Sequence, residues 1–182
     1  MVKNVDTRVI TGKIRLSYAN LFKAVAISEG QEPKFSTCIL IPKSDKDTLM
    51  NIKKAVEAAK ELGMARWGGK IPAGLKTPLR DGDTEKDSEE YKGMYFLNAT
   101  SKQQPGIVDS RLQPILDSTE VYSGCFAKVS INFYPFSVSG NKGVACGLNN
   151  VQKIADGDYL GGRSRAEDDF SAVDEIEDDF LG

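Results

Sequence analysis

Apolar and polar residues alternate with period two over much of this chain, and one segment breaks the rhythm. Across residues 9–18, Ile10, Ile14, Leu16 and Tyr18 fall on one face, while Thr11, Lys13, Arg15 and Ser17 fall on the other. That alternation, rich in β-branched residues, predicts a half-buried strand. Residues 22–28 and 34–41 predict two more, separated by the turn-forming run Glu29-Gly30-Gln31-Glu32-Pro33. The period then changes. Leu49, Ile52, Val56 and Ala59 recur at helical spacing behind a capping Ser44 or Asp45, and Gly63 ends the pattern. This predicts an amphipathic helix of about 17 residues.

Residues 63–92 carry Gly63, Gly68, Gly69, Pro72, Gly74, Pro78 and Gly82 and read as a long loop, which inside a compact domain points to function. Strand character resumes at 93–100. It is strongest at 121–138, where Ala127, Val129, Ile131 and Phe133 face opposite to Lys128, Ser130, Asn132 and Tyr134. Residues 101–120 read as an irregular connection. Residues 139–143 predict a hairpin turn and 144–154 a returning strand. Three meandering strands, a helix and further strands match a mainly β, OB-fold-like five-stranded barrel with its helix after the third strand. The expected division is a body of residues 1–162 and a disordered acidic tail of residues 163–182.

Charge sharpens that division. The chain has 24 Lys+Arg and 26 Asp+Glu, a formal net charge of -2. Residues 167–182 hold eight of the acids and none of the bases, which leaves residues 1–166 at +6. A basic body with an acidic end points to a polyanion partner and an interaction tail. The tail repeats Glu-Asp-Asp-Phe at 167–170 and 177–180. Its Phe170, Ile176, Phe180 and Leu181 offer apolar anchors that a plain solubility tail does not need. With no histidine, serine-type triads and His-containing zinc sites are excluded. Cys38, Cys125 and Cys146 stand singly and read as free thiols in a reducing compartment. Nothing calls for a cofactor, a membrane span or a secretory leader.

Single-stranded nucleic acid offers phosphates for Lys and Arg and flat bases for aromatic rings. The candidate DNA-contacting residues are Lys13, Arg15, Tyr18, Phe22, Arg66, Trp67, Lys70, Lys76, Arg80, Phe96, Lys102, Lys128, Asn132 and Tyr134. A strand-borne Lys is ordinarily just solvated and a strand-borne aromatic is ordinarily core. Phe35, Phe126 and Phe133 are expected in the core, and Trp67 either anchors its loop or reaches ligand. Asp81 and Asp83 admit a competing reading, a metal-dependent nuclease, although their spacing does not match a calcium loop.

Several phrases in order carry a resemblance. They are Leu16-Ser17-Tyr18-Ala19-Asn20-Leu21-Phe22, Pro78-Leu79-Arg80-Asp81-Gly82-Asp83, Tyr95-Phe96-Leu97-Asn98-Ala99, Ser123-Gly124, Gly140-Asn141-Lys142-Gly143-Val144-Ala145 and Gly147-Leu148-Asn149-Asn150-Val151-Gln152-Lys153. On these the chain resembles the single-stranded DNA-binding proteins of tailed bacteriophages and prophages. The resemblance implies an OB fold and sequence-independent binding of single strands in phage replication or recombination. It also implies no catalysis, and action in the cytoplasm of the infected bacterial host. Asp178-Asp179-Phe180-Leu181 is similar to the acidic, hydrophobe-ended peptides with which such proteins recruit partners. It lacks the terminal proline and phenylalanine of the bacterial pattern, so phage-encoded replication or recombination proteins are the expected partners, with homo-oligomerisation left open.

Overall fold

A computed structural model of the chain describes residues 6–26, 29–160 and 170–173. Eight strands and one long helix build it. They run β1 (Arg8–Ile10), β2 (Ile14–Val25), β3 (Lys34–Pro42), α1 (Lys46–Gly63), β4 (Arg80–Asp81), α2 (Gly82–Glu85), β5 (Met94–Ser101), β6 (Gly106–Val108), β7 (Phe126–Val138) and β8 (Asn141–Ala155). Five strands close on themselves. β2 pairs β3, β3 pairs β5, β5 pairs β8, β8 pairs β7, and β7 returns to β2. That ring, with α1 after the third strand, is the expected OB-like barrel. β1 and β6 extend it at β7 and β8. Among the described residues no helix is long and apolar enough to cross a membrane.

The alternation along β7 holds: Ala127, Val129, Ile131 and Phe133 are buried in the main core. The helix holds as well. Its Leu49, Ile52, Val56 and Ala59 are all buried, and the Asp45 carboxylate caps it by accepting from the Thr48 amide. Gly63 does not stop the chain from coiling, because a short 3-10 turn, Met64–Trp67, continues it.

The first predicted strands are redrawn. The 9–18 run splits, because β1 ends at Ile10 and leaves that side chain exposed while Thr11 is buried. The Thr11 hydroxyl accepts from the Val129 amide there, 3.1 Å away. Residues 14–25 are then one strand, with a register shift between Ser17 and Asn20. At that bulge Tyr18 takes φ +46°, and the strand changes phase. Ile14 and Leu16 point inward before it and Leu21 after it, while Tyr18 turns outward. Residues 101–120 are not wholly irregular, since they contain β6.

A second, smaller core lies on the outer side of β3 and β5. Cys38, Leu40, Tyr91 and Phe96 form it, with Met94 and Leu160 packed against it. The 82–92 segment folds back over this end of the sheet and supplies Tyr91.

Candidate nucleic-acid interface

Beyond that covered end, the outer face of β2, β3 and β5 opens into a shallow depression of about 390 Å³. Tyr18, Asn20, Ser36, Cys38, Asn98 and Thr100 are among the residues lining it. Its lining is therefore uncharged and mixes polar side chains with the apolar Val25 and Ala26. The face continues onto β8 and β7 through Gly147, which pairs with Thr100. A Cβ at Gly147 would touch the Asn132 amide oxygen at 2.9 Å and the Tyr134 ring at 3.6 Å. The Tyr134 phenol lies toward Thr100, and partial burial holds it above its usual pKa. Tyr18 is 70% exposed and Tyr134 41%, so both present aromatic surface to solvent. Tyr18 in the groove and Tyr134 on the adjoining β7 face can take bases face on.

Of the candidate residues, Tyr18, Asn132 and Tyr134 come together here. Lys102 stands at the Thr100 end, one position past the Ser101–Phe35 pair, and loosely meets Glu32 at 3.8 Å. Lys76 lies elsewhere, beside the β7–β8 hairpin, and Arg66 and Lys70 flank Trp67 in the chain. The Trp67 indole NH donates to the Phe136 carbonyl at 3.1 Å, and the Lys76 ammonium lies 3.3 Å from the Asn141 amide oxygen. Lys128 is exposed at the far end of β7, across from Gln152.

Other candidates have different work. Trp67 is buried and anchors its loop to the core, so it does not face a ligand. Phe96 points outward from β5 but is covered by the 82–92 segment, edge-on to Tyr91 at 5.2 Å. Phe22 packs half-buried against the main core. Arg80 pairs with Glu85 at 3.0 Å. Lys13 lies 4.8 Å from the centre of the Phe126 ring, which is half-buried instead of in the core. Arg15 is spent on backbone carbonyls, donating to Gly124 at 3.0 Å and Asp158 at 2.7 Å. Asp178, Asp179, Phe180 and Leu181 lie outside the described residues.

The sequence reading passed over several residues of this face. Asn20, Ser36, Asn98 and Thr100 carry no motif; only the pairing of three strands brings them together. Lys34 shares the outward parity of Ser36 and Cys38 and pairs with Val25, a groove residue, so parity along β3 was the available signal. Lys86 lies 5.6 Å from the ring centres of both Tyr91 and Phe96, cation–π distance for each.

The carboxylates of the nuclease reading are committed. Lys43 lies 2.8 Å from Asp81 and 2.7 Å from Asp83. Its ammonium holds both below the usual carboxylate range. Asp81 also accepts from the Asp83 amide and Asp83 from the Gly93 amide. Gly82 between them has no room for a side chain, because a Cβ would run into the Tyr91 and Met94 carbonyls. The motif is a brace for the 82–92 segment. Among the described residues no group of three His, Cys, Asp or Glu could hold a metal ion. Burial pushes the Cys38 thiol up to about 11, away from thiolate chemistry.

A closed five-strand barrel with a helix after its third strand and exposed tyrosines on its outer face is an OB fold built like the strand-binding members of that class. The chain belongs to the family of the single-stranded DNA-binding protein of Enterobacter phage Enc34, whose model matches residues 7–181. Protein p50 of Acyrthosiphon pisum secondary endosymbiont phage 1 is 29% identical over 96% of this chain and 98% of its own length. Among solved structures, the bacteriophage Enc34 single-stranded DNA-binding protein in complex with ssDNA superposes with TM-score 0.77. It is 24% identical, over 85% of this chain and 90% of that one. The bacteriophage T7 single-stranded DNA-binding protein gp2.5 gives TM-score 0.62 at 16% identity, over 91% and 98% of the two chains. These likenesses show the shared fold.

Proposed function

We propose that this chain coats single-stranded DNA without sequence preference during phage replication or recombination, in the cytoplasm of the infected host, and performs no catalysis. The strand lies across the outer face of β2, β3 and β5. Tyr18 and Tyr134 stack on bases, the Asn20, Ser36, Asn98 and Asn132 side chains accommodate base and sugar edges, and Lys34, Lys86 and Lys102 neutralise phosphates. The acidic tail competes for this face and recruits phage replication or recombination proteins through Asp178, Asp179, Phe180 and Leu181. One observation carries the reading: an exposed tyrosine in an uncharged groove, with a second exposed on the adjoining β7 face, of a barrel whose body is formally +6. Family membership supports it.

Each neutralised phosphate contributes about -0.7 to the slope of log affinity against log salt. The test is titration of a labelled dT oligomer and of a duplex of equal length across a salt series. The expected result is binding of the single strand with a steep salt dependence and much weaker duplex binding. Tighter duplex binding, or none to dT at low salt, would falsify the proposal.

A further inference from the structure

The end of β8 does not lead straight into the tail. Residues 156–160 run back over the barrel and are fastened at successive points. The Asp156 carboxylate meets Lys153 at 2.7 Å and accepts from the Tyr122 hydroxyl at 3.0 Å. The Tyr122 hydroxyl accepts from the Gly157 amide at 3.2 Å, and the Asp158 carbonyl accepts from Arg15. The Leu160 amide donates to the Ser123 carbonyl at 2.8 Å. Gly124, at φ +116°, leaves room for this segment, because a Cβ there would overlap the Asp158 carbonyl. The Leu160 side chain then packs on the outer cluster of Cys38, Leu40, Tyr91 and Phe96. Cys38 belongs both to that cluster and to the lining of the groove.

We propose that residues 156–160 are a strap that makes the acidic tail leave the barrel at the Cys38 end of the groove, and that Arg15 is a positioning residue for that strap and not a DNA contact. The inference rests on the reading that tail and DNA compete for the groove. Twenty-two residues follow Leu160. In this proposal the tail acts as a flexible tether, for which that length gives a span of about 26 Å, enough to reach a groove that begins beside its origin. Freeing five strap residues lengthens the tether and moves its origin by up to about 17 Å. The local concentration of the acids at the groove then falls about two- to threefold.

The test compares Arg15→Gln and Tyr122→Phe in the full chain and in a chain ending at residue 166. Both described cores are complete by Leu160, so the shortened chain retains them. In the full chain, each substitution should raise affinity for dT at low salt about two- to threefold. In the shortened chain, each should change nothing and leave the salt slope intact. Hydrogen exchange at the Leu160 amide should quicken in both variants. If removing the tail has no effect on affinity, the competition reading falls. If removing it tightens binding but Arg15→Gln weakens binding equally in both chains, with a slope shallower by about 0.7, competition stands and the strap proposal is overturned.

Discussion

Tyr18 reaches solvent through one backbone angle, φ +46°, at the bulge in β2. Simple alternation places it inward with Leu16, and no rule of period two anticipates a phase change. The bulge turns the ring into the groove opposite Tyr134. Removing either ring, as Tyr18→Ala or Tyr134→Ala, should cost about 1–3 kcal/mol, a roughly 5- to 150-fold loss in affinity, with the salt slope unchanged. Lys34→Gln and Lys102→Gln should instead weaken binding modestly and flatten the slope by about 0.7 each. Titrations at four salt concentrations separate the two signatures, and a tyrosine variant that changes only the slope would remove that ring from the stacking set. Lys43 makes a prediction in pH. Because the Asp81 and Asp83 pKa values are depressed in the folded protein, the stability they contribute is present above the unfolded carboxylate value of about 3.9. It is lost as pH falls through the depressed values. Lys43→Met should therefore lower Tm at pH 6, and the gap from wild type should be smaller in acid, below the unfolded carboxylate value of about 3.9. A gap of equal size at both pH values would mean that Lys43 acts through packing on Tyr95, whose ring centre is 5.1 Å from its ammonium.

The elements differ in how plainly they could be read. The helix was legible because Leu49, Ile52, Val56 and Ala59 encode one buried stripe and Asp45 a cap, all within a single local segment. β7 was legible because its inward set Ala127, Val129, Ile131 and Phe133 keeps period two, although Ser130 on the other face is buried as well, beneath β1. Residues 63–92 were not, since their order comes from distant partners: Trp67 on Phe136, Lys76 on Gly143, and Asp81 and Asp83 on Lys43. The β7–β8 turn is tighter than the expected 139–143, because β8 already begins at Asn141, and its geometry adds a prediction. Val138 pairs with Asn141, leaving Ser139 and Gly140 as a two-residue loop with φ +50° and +82°. Two positive angles in such a loop favour Asn-Gly, and serine is a poor occupant of the first position. Ser139→Asn should stabilise the protein by roughly 0.5–1 kcal/mol, raising Tm by about 1–4 °C in a calorimetric scan. An unchanged or lowered Tm would show that the turn relaxes around serine without cost.

At the scale of the whole molecule, charge was the most legible property and the groove the least. The +6 body and its eight-acid end follow from counting. The groove needs β2, β3 and β5 brought side by side, and the return of residues 156–160 to Cys38 is a tertiary fact without a local sequence mark. In the proposed competition the tail acts on binding through electrostatics. Competition between the tail and DNA should therefore follow the screening length, about 10 Å at 0.1 M salt and 3 Å at 1 M. Deleting residues 167–182 should raise affinity for dT several-fold at about 20 mM salt and leave it nearly unchanged near 1 M, so the shortened chain should show the steeper salt dependence. Phe180→Ala leaves the tail's charge intact and should not move the full chain's curve, while weakening association with phage replication proteins. Parallel salt curves for the full and shortened chains would mean that the tail does not compete with DNA for the groove, whatever else it recruits.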